Sequence, residues 1–362
     1  MKITYKNFDR IYQQHKKDID KALVDSASDT HISGSKLKIF EDRIEKYLGT
    51  KLIAVNSGAS GLLLGFESFG LTKGDKVIVP TLAPMSVPMM LSKLGCHIIF
   101  TDCNLDNFTI DLADLQTKIA PDTKAIVGVD MFGHTCDYHG ITKTVKDLWR
   151  GKWKIPIIQV AFSSFGGSYK SKLNGTYSDL TIFDFSSEAP LQCLGNAGGI
   201  TGSQKYTTAL RLSRQLGMIP NTEKYDIIGW DARLDSIQAN VLNFMLKKVD
   251  SYSKERNQIA KRYNEELAMG RKVDTAEWCK HTHNEYPIMI KHRNNIVEKL
   301  KDAGIEAKAN IQVPGHRQPA YDSKWKLPNS EIVASQLLTL PIWAGMTQDE
   351  VSYVIDKFNK IT

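Results

Sequence analysis

The chain has 362 residues, of which 42% are hydrophobic and 24% are charged. This balance is typical of a folded globular protein and excludes disordered, collagen-like and coiled-coil chains. Lysine and arginine (47) outnumber aspartate and glutamate (40), which gives a net charge of +7. Because the charges are mixed along the chain, the sequence favours a small anionic ligand and predicts no nucleic-acid partner.

Segments typical of strands and helices alternate through the first two hundred residues. Residues 36–48 carry apolar residues at helical spacing and stop before Gly49. The predicted strands are 52–55, 76–80, 96–100, 125–129, 155–159, 180–185 and 199–201, and the helices between them include 62–66, 89–94 and 141–149. This alternation predicts an α/β protein with a mostly parallel central sheet flanked by helices on both faces.

The pattern changes after about residue 205. Residues 234–268 form a long charged segment that predicts helix throughout, and the tail mixes short strands with helices at 295–303 and 348–360. We therefore predict a large domain over 1–235 that contains a ligand crevice. A long connecting helix and a smaller C-terminal α+β domain are predicted over 236–362.

Two segments are candidates for binding an anion. Gly58, Ala59 and Ser60 are small residues between a predicted strand and a predicted helix, where free backbone N–H groups favour a phosphate. The Gly-rich segment 195–199 follows the strand at 180–185 and suits a crevice at the edge of a sheet. For each segment, an ordinary turn or loop remains the alternative.

Histidines and cysteines provide weaker signals. His134, His139, His281, His283 and His316 are possible acid–base groups, with surface or structural roles as the alternative, and none has the spacing of a metal ligand. The five cysteines form no C-x-x-C pair, so we predict no metal site, no disulfide framework and a cytoplasmic location. The sequence shows no signal peptide and no apolar run near the ~18 residues of a membrane span.

Characteristic blocks occur in a fixed order from about residue 33 to residue 358. They are 40–41, 47–49, 56–62, 74–80, 110–111, 166–167, 175–179, 229–234, 237–239, 312–314, 316–321, 327–331 and 340–342. In this order the chain resembles the DegT/StrS family of sugar aminotransferases. The resemblance implies the aspartate-aminotransferase fold, pyridoxal phosphate (PLP) as cofactor, and a nucleotide-linked keto-sugar as substrate. It also implies a role in surface-polysaccharide or glycan synthesis and a homodimer with a shared site.

The family's catalytic lysine is missing from its expected place. In the family this lysine lies in the loop after the strand that ends at Phe183–Phe185, and it forms the Schiff base with PLP. Counting forward from that strand places the position at Ala189, whereas counting back from Gly198–Gly199 places it nearer Leu191. No lysine occurs between Lys172 and Lys205. The chain is therefore predicted to keep the scaffold of a PLP enzyme without its tethering amine.

Other cofactor positions implied by the resemblance also differ. Val160 stands where an aspartate pairs with the pyridine nitrogen and lets the ring act as an electron sink. Pro84 replaces the stacking aromatic residue, and Ser163 replaces the glutamine or histidine below the ring. Asp184 falls near the phosphate, which its charge would repel, and Asp231 replaces an asparagine that reaches the partner's phosphate.

The losses at Val160 and Pro84 predict weak cofactor binding. A charge-assisted hydrogen bond contributes roughly 1.5–3 kcal/mol, and aromatic stacking contributes about 0.5–1.5 kcal/mol. Together they correspond to about two to three decades in affinity. Weak, non-covalent binding of PLP or pyridoxamine phosphate and no cofactor at all are both consistent with the sequence.

Three functions remain open at this point. In the first, Ala189 replaces a native lysine, and the native protein transaminates a keto-sugar nucleotide through PLP. In the second, the protein is naturally independent of PLP, binds a nucleotide-sugar through residues 57–60 and Arg233, and uses Glu188, Asp184 or His316 as acid–base groups. In the third, the chain is a non-catalytic partner of an active homologue.

Overall fold

The computed structural model describes residues 1–27, 34–151, 153–321 and 323–362; residue 33, where the resemblance begins, lies outside them. The helices are α1 (Phe8–Gln14), α2 (Lys16–Ala27), α3 (Ser35–Leu48), α4 (Gly58–Ser68), α5 (Ser86–Lys93), α6 (Leu112–Lys118), α7 (Tyr138–Leu148), α8 (Gln204–Ser213), α9 (Ser236–Met245), α10 (Val249–Glu266), α11 (Arg293–Asp302), α12 (Pro328–Gln336) and α13 (Gln348–Ile361). The strands are β1 (Leu52–Val55), β2 (Lys76–Pro80), β3 (His97–Thr101), β4 (Thr123–Val129), β5 (Ile157–Val160), β6 (Ser168–Tyr169), β7 (Lys172–Leu173), β8 (Leu180–Asp184), β9 (Gly198–Gly202), β10 (Arg271–Lys272), β11 (Cys279–Lys280), β12 (Tyr286–Met289) and β13 (Leu337–Leu340).

Seven of the strands in the described ranges form one central sheet. Their order is β1-β9-β8-β5-β4-β2-β3. Strands β8, β5, β4, β2 and β3 are parallel, whereas β9 runs antiparallel to both of its neighbours. The predicted mostly parallel sheet with flanking helices is confirmed. Most side chains of its central strands are buried because helices cover both faces.

Side chains of β8 alternate between two hydrophobic cores. Ile182 belongs to the core that includes α4, while Phe183 and Phe185 belong to the core that includes α3 and α9. Because neighbouring side chains on a strand point to opposite faces, Asp184 points toward α4, as Ile182 does. By the same alternation Val160, at the end of β5, lies on the α4 face.

The C-terminal part differs from the prediction of one long helix over 234–268. Helix α9 ends at Met245, a 3₁₀ turn covers Leu246–Lys248, and α10 follows. A third core joins α10 and α13 to Ile3, which pairs with Ile305. The first residues of the chain therefore pack on the C-terminal part, and the division at residue 235 stays a prediction.

Across the described ranges, no helix combines the length and the apolar character that a membrane crossing needs.

Candidate functional site

Helix α4 begins at the carboxyl end of β1 and borders the candidate crevice. Its N-cap is Ser57, whose Oγ accepts a hydrogen bond from the Ser60 N–H at 3.1 Å and lies 3.0 Å from the Ser60 Oγ. One of the free N–H groups at the start of the helix therefore already donates to the capping side chain. The predicted strand–turn–helix element is present, with both polar groups of Ser60 turned toward Ser57.

The start of α4 also holds a carboxylate from β8. The Asp184 carboxylate lies beside the first residue of α4, with Oδ1 3.0 Å from the place where a β-carbon on Gly58 would stand. Ser186 donates to Oδ2 through its backbone N–H, at 3.3 Å, and through its hydroxyl. Burial raises the pKa of Asp184, and these hydrogen bonds oppose the rise. A side chain of the protein therefore occupies the place where a helix N-terminus would bind phosphate.

An aromatic ring narrows the same place from the β5 side. Phe162 follows β5, and its Cζ would lie 2.9 Å from a β-carbon on Gly58. Val160, two residues earlier, is fully buried in the α4-side core. Hydrocarbon therefore fills the space next to Gly58, and no group on Val160 can pair with a ring nitrogen.

The loop after β8 packs without a lysine at either predicted position. Ala189 is buried, and its N–H donates to the Ser186 carbonyl at 3.1 Å. Leu191 and Cys193 are buried in the core on the α3 side, and burial raises the pKa of the Cys193 thiol to about 12. The two positions predicted for the family lysine, Ala189 and Leu191, thus both carry apolar side chains.

The segment before β12 forms the wall that faces this loop. Thr282 Oγ1 donates to the Ser163 carbonyl at 2.7 Å, and Asn284 Nδ2 donates to the Glu188 carbonyl at 3.0 Å. This wall therefore connects the residue after Phe162 to the residue before Ala189. We call the space between this wall, the start of α4 and the loop 184–190 the crevice.

Two lysines from distant parts of the chain lie beside the crevice. Lys6 Nζ donates to the Asn284 carbonyl, and Lys308 Nζ lies 3.9 Å from Glu188 Oε1. The loop itself carries no lysine, but amines from other segments lie near its backbone. The sequence reasoning missed these contacts because they join residues separated by more than a hundred positions.

Asp231 and Arg233 neutralise each other at the rim of the crevice. The Arg233 guanidinium donates to both Asp231 oxygens, at 2.9 and 3.0 Å, and lowers the pKa of that carboxyl. The Asp231 carbonyl accepts from Asn56 Nδ2 at 3.4 Å, which places the pair near the start of α4. The predicted positions are close together, but the charge of Arg233 is already paired.

His316 is hydrogen-bonded to Thr81, in the segment after β2 that also carries Pro84. His316 is fully buried, with Nδ1 2.8 Å from the Thr81 Oγ1 and Nε2 3.2 Å from Glu331. Burial lowers the pKa of His316. Pro84 precedes α5, and its carbonyl accepts from the Val87 N–H. His316 thus ties α12 to the segment after β2.

The structure brings most of the predicted site residues to the crevice. These are Gly58, Ala59, Ser60, Val160, Ser163, Asp184, Glu188 and Ala189, with Asp231 and Arg233 at the rim. Phe162 was missed, although a large aromatic residue directly after a buried strand is a signal that a crevice at the sheet edge would be narrowed. Asn284 and Lys6 had no signal in the sequence.

This fold and this crevice define a class of proteins. The DegT/DnrJ/EryC1/StrS aminotransferase family model matches residues 13–359, so the chain belongs to that family.

Individual relatives agree with this assignment. The chain is 29% identical over 323 residues to a UDP-2-acetamido-2-deoxy-3-oxo-D-glucuronate aminotransferase of Pseudomonas aeruginosa, covering 86% of this chain and 87% of the relative. It is 27% identical over 370 residues to a dTDP-3-amino-3,6-dideoxy-α-D-galactopyranose transaminase of Aneurinibacillus thermoaerophilus, covering 99% of each. The crystal structure of S. venezuelae DesV superposes with a TM-score of 0.94 at 25% identity, covering 99% of this chain and 98% of DesV.

The residues present do not fit PLP. Asp184 Oδ1 lies 3.0 Å from the place of a β-carbon on Gly58, so a phosphate at the start of α4 would meet a carboxylate. Phe162 approaches Gly58 from the other side, and Val160 offers no partner to a pyridine nitrogen. A lysine at position 189 would correct none of these three features.

Proposed function

We propose that this chain is a PLP-independent member of the family that binds a nucleotide-linked sugar in the crevice. The observation that carries the proposal is the position of the Asp184 carboxylate, whose Oδ1 lies 3.0 Å from the place of a β-carbon on Gly58 at the start of α4. A carboxylate satisfies a helix N-terminus much as phosphate does, so the phosphate cradle of the fold has an internal occupant. Loss of a lysine alone would leave that cradle free.

The ligand class follows from the relatives and from the rim of the crevice. The names of the relatives specify UDP- and dTDP-linked sugars. In this chain the wall near Glu188 carries Lys308 and the buried Arg256, which suit an anionic diphosphate. Surface-polysaccharide or glycan synthesis is the proposed setting, and the cytoplasm is the proposed compartment.

We also propose that two copies form a homodimer with a shared site. Residues 225–230 present Tyr225, Ile228 and Trp230 to solvent, and Ile228 is 99% exposed. An exposed apolar stretch next to Asp231, at the rim of the crevice, is typical of an interface. A second copy seated here would lie close to the start of α4.

Calorimetric titration tests the proposed function. We expect UDP-N-acetylglucosamine or dTDP-glucose to bind and PLP to show no saturable heat. Tight binding of PLP to the unchanged chain would overturn the proposal, because Asp184 and Phe162 would then have to leave the start of α4.

Restoring the lysine separates this proposal from the hypothesis of a replaced lysine. Ala189→Lys is expected to show no absorbance band of lysine-bound PLP, since three other features still oppose the cofactor. Glu188→Lys is the matched control, because it places a lysine one residue away in the same loop. A band in Ala189→Lys and none in the control would instead support a native PLP enzyme.

A further inference from the structure

We propose that Lys6 is the reactive amine of the crevice and forms an imine with the carbonyl group of a keto-sugar ligand. This inference deepens the proposed function and rests on it for the identity of the ligand. It concerns a residue at the start of the chain, far in sequence from the loop that carries the family lysine.

The position of Lys6 is the first support. Its Nζ donates to the Asn284 carbonyl, and the side chain of the same asparagine donates to the Glu188 carbonyl. Glu188 precedes Ala189, the position of the lost lysine. A single residue, Asn284, therefore connects the Lys6 amine to the loop from which the family's amine projects.

The second support is the set of charges around Lys6. Arg256 is 3% exposed, and its Nε donates to the Thr282 carbonyl at 3.0 Å. Within the described part of the chain, Arg256 Nη2 has no hydrogen-bond partner. Lys308 lies 3.9 Å from Glu188. A lysine beside other cations loses its proton more easily and becomes a nucleophile.

The acidity of Lys6 agrees with this geometry. Burial lowers the pKa of Lys6 to about 8, with Arg256 and Lys308 acting in the same direction and Glu285 and Glu188 opposing. At a pH near this value about half of the Lys6 side chains are neutral. An ordinary lysine of pKa about 10.4 is neutral in well under about 1% of molecules.

The proposed step is balanced without any co-reactant. The neutral amine attacks the carbonyl carbon, a C–N bond forms, and the nitrogen loses its protons as the carbonyl oxygen leaves as water. Glu285 is suited to supply the proton to that oxygen, because burial raises the pKa of its carboxyl. Asn310 Nδ2 lies 3.4 Å from Glu285 Oε2 and holds it at the same wall.

Reductive trapping tests the proposal with a small probe. The intact protein is treated with glyceraldehyde and cyanoborohydride at a pH near 8, and labelled lysines are mapped by mass spectrometry. Lys6 is expected to be labelled at least about tenfold faster than the exposed Lys17 and Lys21, allowing for the lower nucleophilicity of a less basic amine. Labelling of Lys6 at the same rate as these two would overturn the proposal.

Two variants separate reactivity from a structural role. Lys6→Arg keeps a cation and a donor for Asn284 but cannot form an imine, so the label should disappear while thermal stability stays close to that of the parent. Lys308→Arg is the matched control and should keep the label on Lys6. If Lys308 were the main labelled site, Lys308 and not Lys6 would be the reactive amine, and the proposal would be overturned.

A protection experiment distinguishes failure of this inference from failure of the proposed function. UDP-N-acetylglucosamine or dTDP-glucose, added before the probe, should slow labelling of Lys6. Fast labelling without protection would contradict Lys6 acting on a nucleotide-sugar. Binding of the nucleotide-sugar without preferential labelling would overturn the role of Lys6 and leave the proposed function standing.

Discussion

Asp184 is the residue on which the chemistry of the crevice depends. Its carboxylate accepts from Ser186 and lies beside Gly58, so an anion built into β8 faces the start of α4. In the proposed function this carboxylate stands in the place of an external phosphate.

Removing this carboxylate should free the cradle. We expect Asp184→Ala to lower the free energy of unfolding by about 1–2 kcal/mol, because charged hydrogen bonds are lost while the cost of burying a carboxylate is relieved. Inorganic phosphate should then raise the Tm of the variant and leave the parent unchanged, as thermal unfolding at matched ionic strength would show. Asp302→Ala, an exposed change of equal charge, is the control. If phosphate changed the Tm of the parent and of both variants equally, Asp184 would not be the group that fills the cradle.

Asp130 is a buried carboxylate at the end of β4. It accepts from Gln159 at 2.7 Å, Ser164 at 2.5 Å, Tyr138 at 2.9 Å and the Cys136 N–H at 3.0 Å. Burial raises the pKa of Asp130 to about 6 in spite of these donors. It joins the carboxyl ends of β4 and β5, and Ser164 lies beside Ser163 at the crevice.

The stability of the protein should depend on pH through Asp130. An unfolded aspartate has a pKa of about 3.9, so between about pH 4 and pH 6 the folded state binds more protons than the unfolded state. The stability contribution of this residue is therefore complete below about pH 4 and falls by about 3 kcal/mol as the pH rises through about 6. Urea unfolding over this range should show a shallower pH dependence in Asp130→Asn. If the free energy of unfolding of the parent and of Asp130→Asn varied with pH in parallel, Asp130 would not cause the pH dependence.

The contact between α4 and β9 determines where the crevice lies. Gly198 pairs with Val55 on one side and with Asp184 on the other. A β-carbon at Gly198 would lie 2.7 Å from the Ser57 carbonyl carbon and 2.8 Å from the Gly58 nitrogen. Only a residue without a side chain lets the start of α4 approach the sheet this closely.

Gly198→Ala should therefore separate these two elements. We expect a loss of about 1–3 kcal/mol in the free energy of unfolding, because backbone atoms of Ser57 and Gly58 cannot move as a side chain can. Gly195→Ala is the matched control, since the nearest atom there is Gln238 Nε2 at 3.8 Å, and its effect should stay within about 0.5 kcal/mol. Urea unfolding measures both, and equal losses would show that the close approach is not the cause.

Taken as a whole, the molecule presents an apolar surface that a single chain leaves open. Ile228 is 99% exposed and lies between the exposed residues Tyr225 and Trp230, whose Nε1 donates to Glu67 at 3.1 Å. The proposed homodimer would cover this surface and place a second chain at the rim of the crevice.

A charge at this surface should dissociate the dimer. Ile228→Glu is expected to weaken self-association at least about tenfold, because an unpaired buried charge costs several kcal/mol. Ile332→Glu, which changes a residue of α12 that is 41% exposed, should leave association unchanged. Sedimentation of the parent and both variants measures the effect, and a monomeric parent would refute the homodimer.

Hydrophobic periodicity was sufficient to predict the architecture. Strands such as Leu52–Val55 and Lys76–Pro80 are short apolar segments bounded by turns, and helices alternate with them, so a mostly parallel sheet follows from local pattern. The ordered blocks led to the family, and the absence of lysine near Ala189 is plain in the chain itself. Local patterns predict elements because each depends on residues within a few positions.

Contacts between distant segments were decided by folding alone. The carboxylate of Asp184 reaches Gly58 because β8 and α4 meet across β9, and Lys6 reaches Asn284 because the first residues pack on the C-terminal core. From the sequence, the charge of Asp184 is expected to repel a phosphate. In the folded chain the same carboxylate faces the N-terminus of α4, which favours an anion. Such partnerships depend on packing across hundreds of residues, and no local pattern encodes them.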